Sequence, residues 1–220
     1  MMNNLSKAAE QLGTVRADFE LLSATVTPDN KIAHHLIDRL RIASDNVAGC
    51  VILAEHDLAS PLLIVGRSIV ESLFVTYWAT RNKENAETVL RRSCQETLRV
   101  ARSQLQGTDP VAALIKKTTG QNVTNHVLED PRIRKLDARL PVEQIAKECG
   151  LNKIYDTAYR IFSLLVHGNV ENVLVNPPKV INASLEAVRC ILAALHLIVG
   201  NYIREDRITG QDDILKLMFP

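Results

Sequence analysis

The stretch between Asp29 and His56 constrains the fold more than any other part of the chain. Apolar residues recur there at intervals of three and four: Ile32, Leu36, Leu40, Ala43, Val47, Cys50 and Ala54. This spacing places them all on one face of an α-helix, and an apolar face of that length has to be buried against other helices. Similar patterns recur along the chain, and no alternating strand pattern accompanies them. The sequence therefore predicts an all-α helical bundle of about six to eight helices.

Proline and glycine mark the ends of the predicted helices. Pro28 ends the first helix, Pro61 suits the first turn of the third, and Gly150 and Gly168 act as stops. The Asn-Pro-Pro break at 176–178 precedes the last long helix. We predict helices at about 6–26, 29–56, 61–81, 84–106, 141–149, 153–167, 182–204 and 212–217.

The chain has the size of a single domain, and we predict one helical domain over residues 1–220. Residues 107–140 interrupt the helical pattern with Gly120, Asn122, Asn125 and Pro131. They predict a long irregular connection, with one short helix at about 110–117. Connections of that length are usually functional or disordered.

Charge and cysteine usage bear on partners and location. The net charge of +1 argues against a protein that coats nucleic acid or a membrane surface. The apolar runs at 62–66 and 191–200 are too short or too broken to predict a membrane span, and residues 1–18 do not resemble a secretory signal. None of the four cysteines forms a C-x-x-C pair, which favours reduced, buried thiols. We therefore expect a cytoplasmic protein with no membrane partner.

The predicted helix at 153–167 carries a polar stripe on an otherwise apolar surface. Its members step by three and four residues: Lys153, Asp156, Arg160, Ser163 and His167. Arg160 and His167 are seven residues apart, which is about 10 Å along a helix axis. An unpaired charge is costly to bury, so these side chains need partners. The stripe predicts a crevice or a contact with a second chain.

The third predicted helix carries a second polar pair, Arg67 and Glu71. In this order the two residues stabilise an isolated helix less than the reverse order does, so local pairing explains them poorly. A row of small residues, Ser68, Ser72 and Thr76, allows another helix to approach closely. We expect Arg67 and Glu71 to share one polar cluster with the stripe at 153–167.

Two motifs carry a resemblance to a known family. Arg67-Ser-Ile-Val-Glu71 with Tyr77-Trp78, and Tyr155-x-x-x-Tyr159-Arg160-x-x-Ser163-x-x-x-His167-Gly168-Asn169, resemble an uncharacterised all-helical domain family of bacteria. The spacing from Arg160 to His167 is also similar to the Arg-x₄₋₆-His motif of the HEPN superfamily, the higher eukaryotes and prokaryotes nucleotide-binding proteins. Many HEPN proteins are metal-independent ribonucleases of defence systems, with sites shared across a dimer.

The HEPN resemblance implies roles for four residues. His167 would move a proton at the ribose 2′-hydroxyl or the leaving 5′-oxygen, and Arg160 would hold the scissile phosphate. Glu71 would orient one of these two side chains and Arg67 would add a phosphate contact. Ser163, which lies between Arg160 and His167 in the motif of the uncharacterised family, is a fifth candidate site residue without an assigned role. The implied partners are RNA or a nucleotide, a second copy of the chain and an antitoxin-like protein.

A second interpretation of these residues stays open, because structural ion-pair networks bury charges as readily as active sites do. The chain would then be a non-catalytic helical interaction module, in which an Arg–Glu–His network fixes the helix register. The sequence lacks a Gly-rich phosphate loop, and nothing completes a metal site around His34, His35 and Asp38. We therefore expect no metal and no cofactor under either interpretation.

Overall fold

A computed structural model describes residues 2–105, 118–123, 141–164 and 176–219 of the chain. These residues form eight helices and no β-strand, which confirms the all-α prediction. The helices are α1 (Met2–Thr25), α2 (Lys31–Glu55), α3 (Ala59–Thr80), α4 (Lys83–Leu105), α5 (Val142–Glu148), α6 (152–164), α7 (Pro177–Arg204) and α8 (Gln211–Met218).

The chain divides into two compact units. The first unit comprises residues 1–86 and 141–220, and its centre is a bundle of α1, α2, α3 and α7. In this unit α8 packs against α7, and α5 and α6 pack against α3. The second unit comprises residues 87–140, of which the structure describes most of α4 and a turn at 118–123. The helix expected at 110–117 lies outside the described residues, and the single-domain arrangement stays a prediction.

The α2 pattern predicts the core correctly. Six of the seven predicted residues are buried, namely Leu36, Leu40, Ala43, Val47, Cys50 and Ala54, whereas Ile32 at the first turn is only half-buried. The helix begins at Lys31, two residues after the expected start at 29, because Asn30 is its cap: the Asn30 side chain accepts a hydrogen bond of 3.0 Å from the backbone N–H of Ala33. The expectation of buried thiols holds for Cys50, Cys149 and Cys190. Burial raises the pKa of Cys50 and Cys149 to about 12, so these two thiols are unreactive.

The start of α7 was placed wrongly by the sequence analysis. The helix begins at Pro177, five residues before the expected start at Asn182. Pro177 and Pro178 occupy the first turn, where a missing N–H breaks no hydrogen bond. The Asn176 side chain caps the turn by accepting from the backbone N–H of Lys179 at 3.2 Å. The proline pair therefore begins this helix and does not precede it as a break.

Two helices of the bundle, α3 and α7, are long and apolar enough to cross a membrane by length and composition. This corrects the expectation that the apolar runs are too short or too broken. In α3 61% of the most apolar window is buried inside the protein, and in α7 56% is. Core helices of soluble proteins pass the same test, so the indication is weak.

Candidate functional site

Arg67 and Glu71 meet the side chain of Tyr159 where α3 packs against α6. The Arg67 Nε donates to Glu71 Oε1 at 2.9 Å, and the Arg67 Nη2 donates to the Tyr159 hydroxyl at 3.0 Å. The Tyr159 hydroxyl donates in turn to Glu71 Oε1 at 3.1 Å. These three side chains, which we call the Arg67 cluster, form a closed triangle of hydrogen bonds that ties α6 to α3.

Burial and charge act against each other in the Arg67 cluster. Burial opposes the charge of Arg67, but the hydrogen bonds and charge interactions with Glu71 and Tyr159 together outweigh this effect and raise the pKa of the guanidinium. Burial also raises the pKa of Tyr159, and the Glu71 carboxylate raises it further. Tyr159 therefore keeps its proton at neutral pH and acts as a hydrogen-bond donor to Glu71.

An aromatic layer lies directly beneath the cluster. The rings of Tyr155 and Tyr159 stack with centroids 4.9 Å apart, and Phe74 of α3 contacts both at 6.3 and 6.2 Å. The Arg67 guanidinium lies 5.3 Å from the centre of the Tyr159 ring, within the range of a cation–π contact. This layer holds the Tyr159 hydroxyl in place, because the ring has packed neighbours on more than one side.

A π-helical turn at Tyr155–Tyr159 directly precedes Arg160. A regular α-helix was expected over 153–167, and a π-turn adds a residue to the helical repeat. Tyr159 points toward α3 and is 8% exposed, while Arg160, the next residue, points outward. The Arg160 side chain is 64% exposed, its Nε lies 3.1 Å from Asp156 Oδ1, and its guanidinium lies 5.7 Å from the centre of the Tyr155 ring.

The structure therefore brings together only part of the predicted polar cluster. Arg67 and Glu71 do face α6, but they meet Tyr159, while Arg160 pairs with Asp156. The Ser163 hydroxyl oxygen is buried and has no hydrogen-bond partner among the residues that the structure describes. His167 lies outside the described residues. The roles assigned to these side chains stay predictions.

Tyr159 is the residue that the sequence analysis missed. The motif Tyr155-x-x-x-Tyr159 was recorded as part of a family resemblance and given no role. Two tyrosines at i,i+4 on an apolar helix are a signal that could have identified an aromatic stack. The π-turn leaves no comparable mark in the sequence, so it was not predictable.

A second polar cluster joins α1 to α7. The His196 Nε2 lies 2.7 Å from Asp18 Oδ2, and Arg204 contacts the other oxygen of the same carboxylate. Burial opposes the charge of Asp18, but the hydrogen bonds from His196 and Arg204 lower its pKa. His196 is therefore paired with Asp18, and its side chain is 21% exposed and lines a groove of about 810 Å³ beside α8.

An apolar pocket of about 280 Å³ lies between α6 and the first half of α7. Ile161 and Phe162 line one side, and Val180, Ala183 and Ala187 line the other. Ile161 is 49% exposed, so the residue that follows Arg160 offers an apolar surface to solvent. Among the described residues, no group of three or more His, Cys, Asp or Glu side chains lies close enough to hold a metal ion.

Comparison with known proteins gives one match. A family model matches residues 43–176, more than half of the chain, and the matched segment includes the whole Arg67 cluster and Arg160. No curated protein and no solved structure matches the chain. The expected membership of an uncharacterised family is thereby confirmed, whereas the similarity to the HEPN superfamily stays a prediction. The chain belongs to a family of unknown function, DUF5677.

Proposed function

We propose that this protein binds RNA or nucleotide phosphates on the outer face of α6, as an HEPN-like component of a bacterial defence or stress system. One observation carries the proposal: Tyr159, at the end of a π-turn, anchors α6 on α3, and Arg160 beside it is 64% exposed. A π-turn inside an α-helix frequently accompanies a functional site. A phosphate-binding arginine needs this combination of a fixed backbone and a solvent-reachable guanidinium.

The surroundings of Arg160 suit a phosphate contact. Asp156 and the Tyr155 ring hold the side chain extended along the helix surface, which reduces the entropy lost when a ligand is bound. A guanidinium presents two parallel N–H donors to a phosphate oxygen pair. Asp156 occupies only the Nε edge in the contact that the structure shows, which leaves the terminal nitrogens for a phosphate.

We further propose that bound RNA is cleaved without a metal. His167 takes the proton of the ribose 2′-hydroxyl, and the resulting oxygen forms a bond to the adjacent phosphorus. The bond from phosphorus to the 5′-oxygen breaks, the leaving oxygen gains a proton, and the products are a 2′,3′-cyclic phosphate and a 5′-hydroxyl. Arg160 stabilises the charge that develops on the phosphate oxygens. Glu71 is then a positioning residue that acts through Tyr159.

A non-catalytic interaction module is the second candidate, and the closed Arg67 cluster favours it. All three side chains satisfy one another, and Tyr159 is almost fully buried. This arrangement is what a network that only fixes helix register requires. In that case α6 presents a surface to a protein partner, such as a second copy of the chain or an antitoxin-like protein.

Cleavage of a labelled single-stranded RNA, in EDTA-containing buffer, separates the two candidates. The wild type is compared with His167→Ala, Arg160→Ala and the control Arg41→Ala. Arg41 matches Arg160 closely: it is 53% exposed, it pairs with Asp38 at 3.5 Å, and its guanidinium lies 5.7 Å from the Phe19 ring. A thermal melt of each protein shows whether any loss of activity follows from unfolding.

We expect the wild type and Arg41→Ala to cleave the RNA. His167→Ala should lower the cleavage rate by at least about 100-fold, and Arg160→Ala by a similar factor, with melting temperatures close to the wild type. An inactive wild type would remove the nuclease assignment and favour the interaction module. Equal activity of Arg160→Ala and Arg41→Ala would remove Arg160 from the site.

A further inference from the structure

The pocket between α6 and α7 is lined almost entirely by aliphatic side chains. Its apolar walls consist of Ala158, Ile161, Phe162, Val180, Ala183 and Ala187. Ile161 is 49% exposed and Ala183 is also exposed, so apolar surface on both walls contacts water. Contact between water and apolar surface is unfavourable, and a bound aliphatic group would remove it.

Ser184 of α7 places a polar atom in these apolar walls. The residue lines the pocket and is only 3% exposed. Its hydroxyl forms no hydrogen bond with any residue that the structure describes. A buried hydroxyl without a partner is costly, so a ligand in the pocket gains from an oxygen that accepts its proton.

Lys179 lines the same pocket and supplies a positive charge. Its side chain is exposed, and no carboxylate pairs with it in the described part of the chain. It lies in the first turn of α7, where the helix dipole also favours an anion. Lys179 and Ser184 are five residues apart, about 7.5 Å along the helix axis. Because the lysine side chain is long and flexible, one carboxylate can contact both groups.

The chemistry of the pocket favours an aliphatic ligand with one acidic end over a nucleobase. A base carries polar atoms along its edge and usually stacks on aromatic rings or guanidinium planes. Among the lining residues, Ser184 is the one uncharged polar side chain and Phe162 the one aromatic ring. The polar edge of a base would therefore lose hydrogen bonds to water without replacing them.

The size of the pocket limits the length of the ligand. Its volume is about 280 Å³. At about 30 Å³ for each heavy atom, which is the share of one molecule in liquid water, it holds roughly nine heavy atoms. A chain of about eight carbons with its carboxylate at the rim has this size.

We infer that this pocket binds a medium-chain fatty acid. The acyl chain contacts Ile161, Phe162 and Val180, and the carboxylate accepts hydrogen bonds from the Lys179 ammonium and the Ser184 hydroxyl. Arg160 does not line the pocket and pairs with Asp156. The fatty-acid site is therefore independent of the phosphate contact proposed for Arg160.

Isothermal titration calorimetry with sodium octanoate tests the site. We expect the wild type to bind one octanoate with a dissociation constant on the order of 0.1–1 mM. Hexanoate should bind about 15-fold more weakly, because it buries two fewer methylene groups. Lys179→Gln should weaken octanoate binding by about threefold to fivefold. It should leave the affinity for uncharged 1-octanol unchanged.

A variant that fills the pocket provides the decisive comparison. Ala183→Leu adds an aliphatic side chain to the pocket wall at an exposed position, so the fold should tolerate it. Octanoate binding should weaken by at least about tenfold. The control is Ala17→Leu, which makes the same change at an exposed position of α1 outside the pocket and should bind octanoate as the wild type does.

Two results would overturn the proposal. One is a wild type that takes up no octanoate at about ten times the expected dissociation constant. The other is equal octanoate affinity of Ala183→Leu and Ala17→Leu. If octanoate does not bind and Ala183→Leu lowers the affinity for RNA, the pocket holds a nucleobase. If Ala183→Leu instead dissociates a dimer in light scattering, a second copy of the chain fills the pocket.

Discussion

The Tyr159 hydroxyl is the single group on which the contact between α3 and α6 depends most. It accepts a hydrogen bond from Arg67 and donates one to Glu71, so its removal breaks two sides of the triangle at once. The ring itself packs against Tyr155 and Phe74 and does not require the hydroxyl. The energetic role of the hydroxyl can therefore be separated from that of the ring.

Tyr159→Phe should lower the free energy of unfolding by about 1–2 kcal/mol, because Arg67 and Glu71 lose a partner and remain partly buried. Partial exposure of Glu71 limits the loss, since water replaces part of the hydrogen bond. Urea unfolding followed by circular dichroism measures the change.

Tyr155→Phe is the matched control for Tyr159→Phe. Its hydroxyl reaches only Glu143, at 3.4 Å and in an exposed position, so its removal should cost less than about 0.5 kcal/mol. Equal effects of the two substitutions would contradict the assignment of Tyr159 to a closed polar triangle.

At the scale of elements, the sequence predicts where the helices lie. It does not predict the π-turn inside α6 or the residue at which α7 begins. The three-and-four spacing of apolar residues located α2 within two residues, because burial of one face dominates the choice of structure there. The start of α7 depends on whether the proline pair begins the helix or precedes it, and the π-turn in α6 lies at the two tyrosines that pack against α3. The periodicity of apolar residues does not show that the two prolines begin α7, and it does not show how the tyrosines of α6 pack.

Two glycines of the bundle should respond in opposite ways to substitution by alanine, because Gly66 of α3 lies against α6 and Gly49 of α2 faces open space. A methyl group added at Gly66 would overlap the ring of Phe162, which is buried and cannot move freely, whereas Gly49 of α2 has no neighbour near that position. Gly66→Ala should destabilise the protein by about 1–3 kcal/mol. Gly49→Ala should stabilise it by about 0.5–1 kcal/mol through its better helix propensity.

Thermal or urea unfolding of the two alanine variants measures the difference. An increase in stability for both would show that α6 can move away from α3 at little cost. The aromatic layer and the Arg67 cluster would then not hold α6 rigidly, and the fixed backbone behind Arg160 would lose its support.

At the scale of the whole molecule, the fold class was predictable and the assembly was not. The apolar residues Ile191, Leu195, Ile198 and Val199 of α7 are buried in the bundle of the chain itself. The periodicity of apolar residues shows that a helix face is covered, but it does not show whether the same chain or a second copy covers it. The homodimer remains a prediction of the HEPN resemblance.

The salt dependence of RNA binding tests the central claim, that exposed Arg160 contacts a phosphate. The logarithm of the RNA-binding constant falls linearly with the logarithm of the salt concentration. For a single strand, each phosphate contact contributes about 0.7 to the magnitude of this slope. Fluorescence anisotropy of a labelled single-stranded RNA gives this slope for wild type, Arg160→Ala and Arg41→Ala. We predict that Arg160→Ala binds the RNA about tenfold more weakly than the wild type. Its slope should be smaller in magnitude by about 0.7, the contribution of one contact. Arg41→Ala should match the wild type in both affinity and slope. Equal slopes for all three proteins would contradict the account.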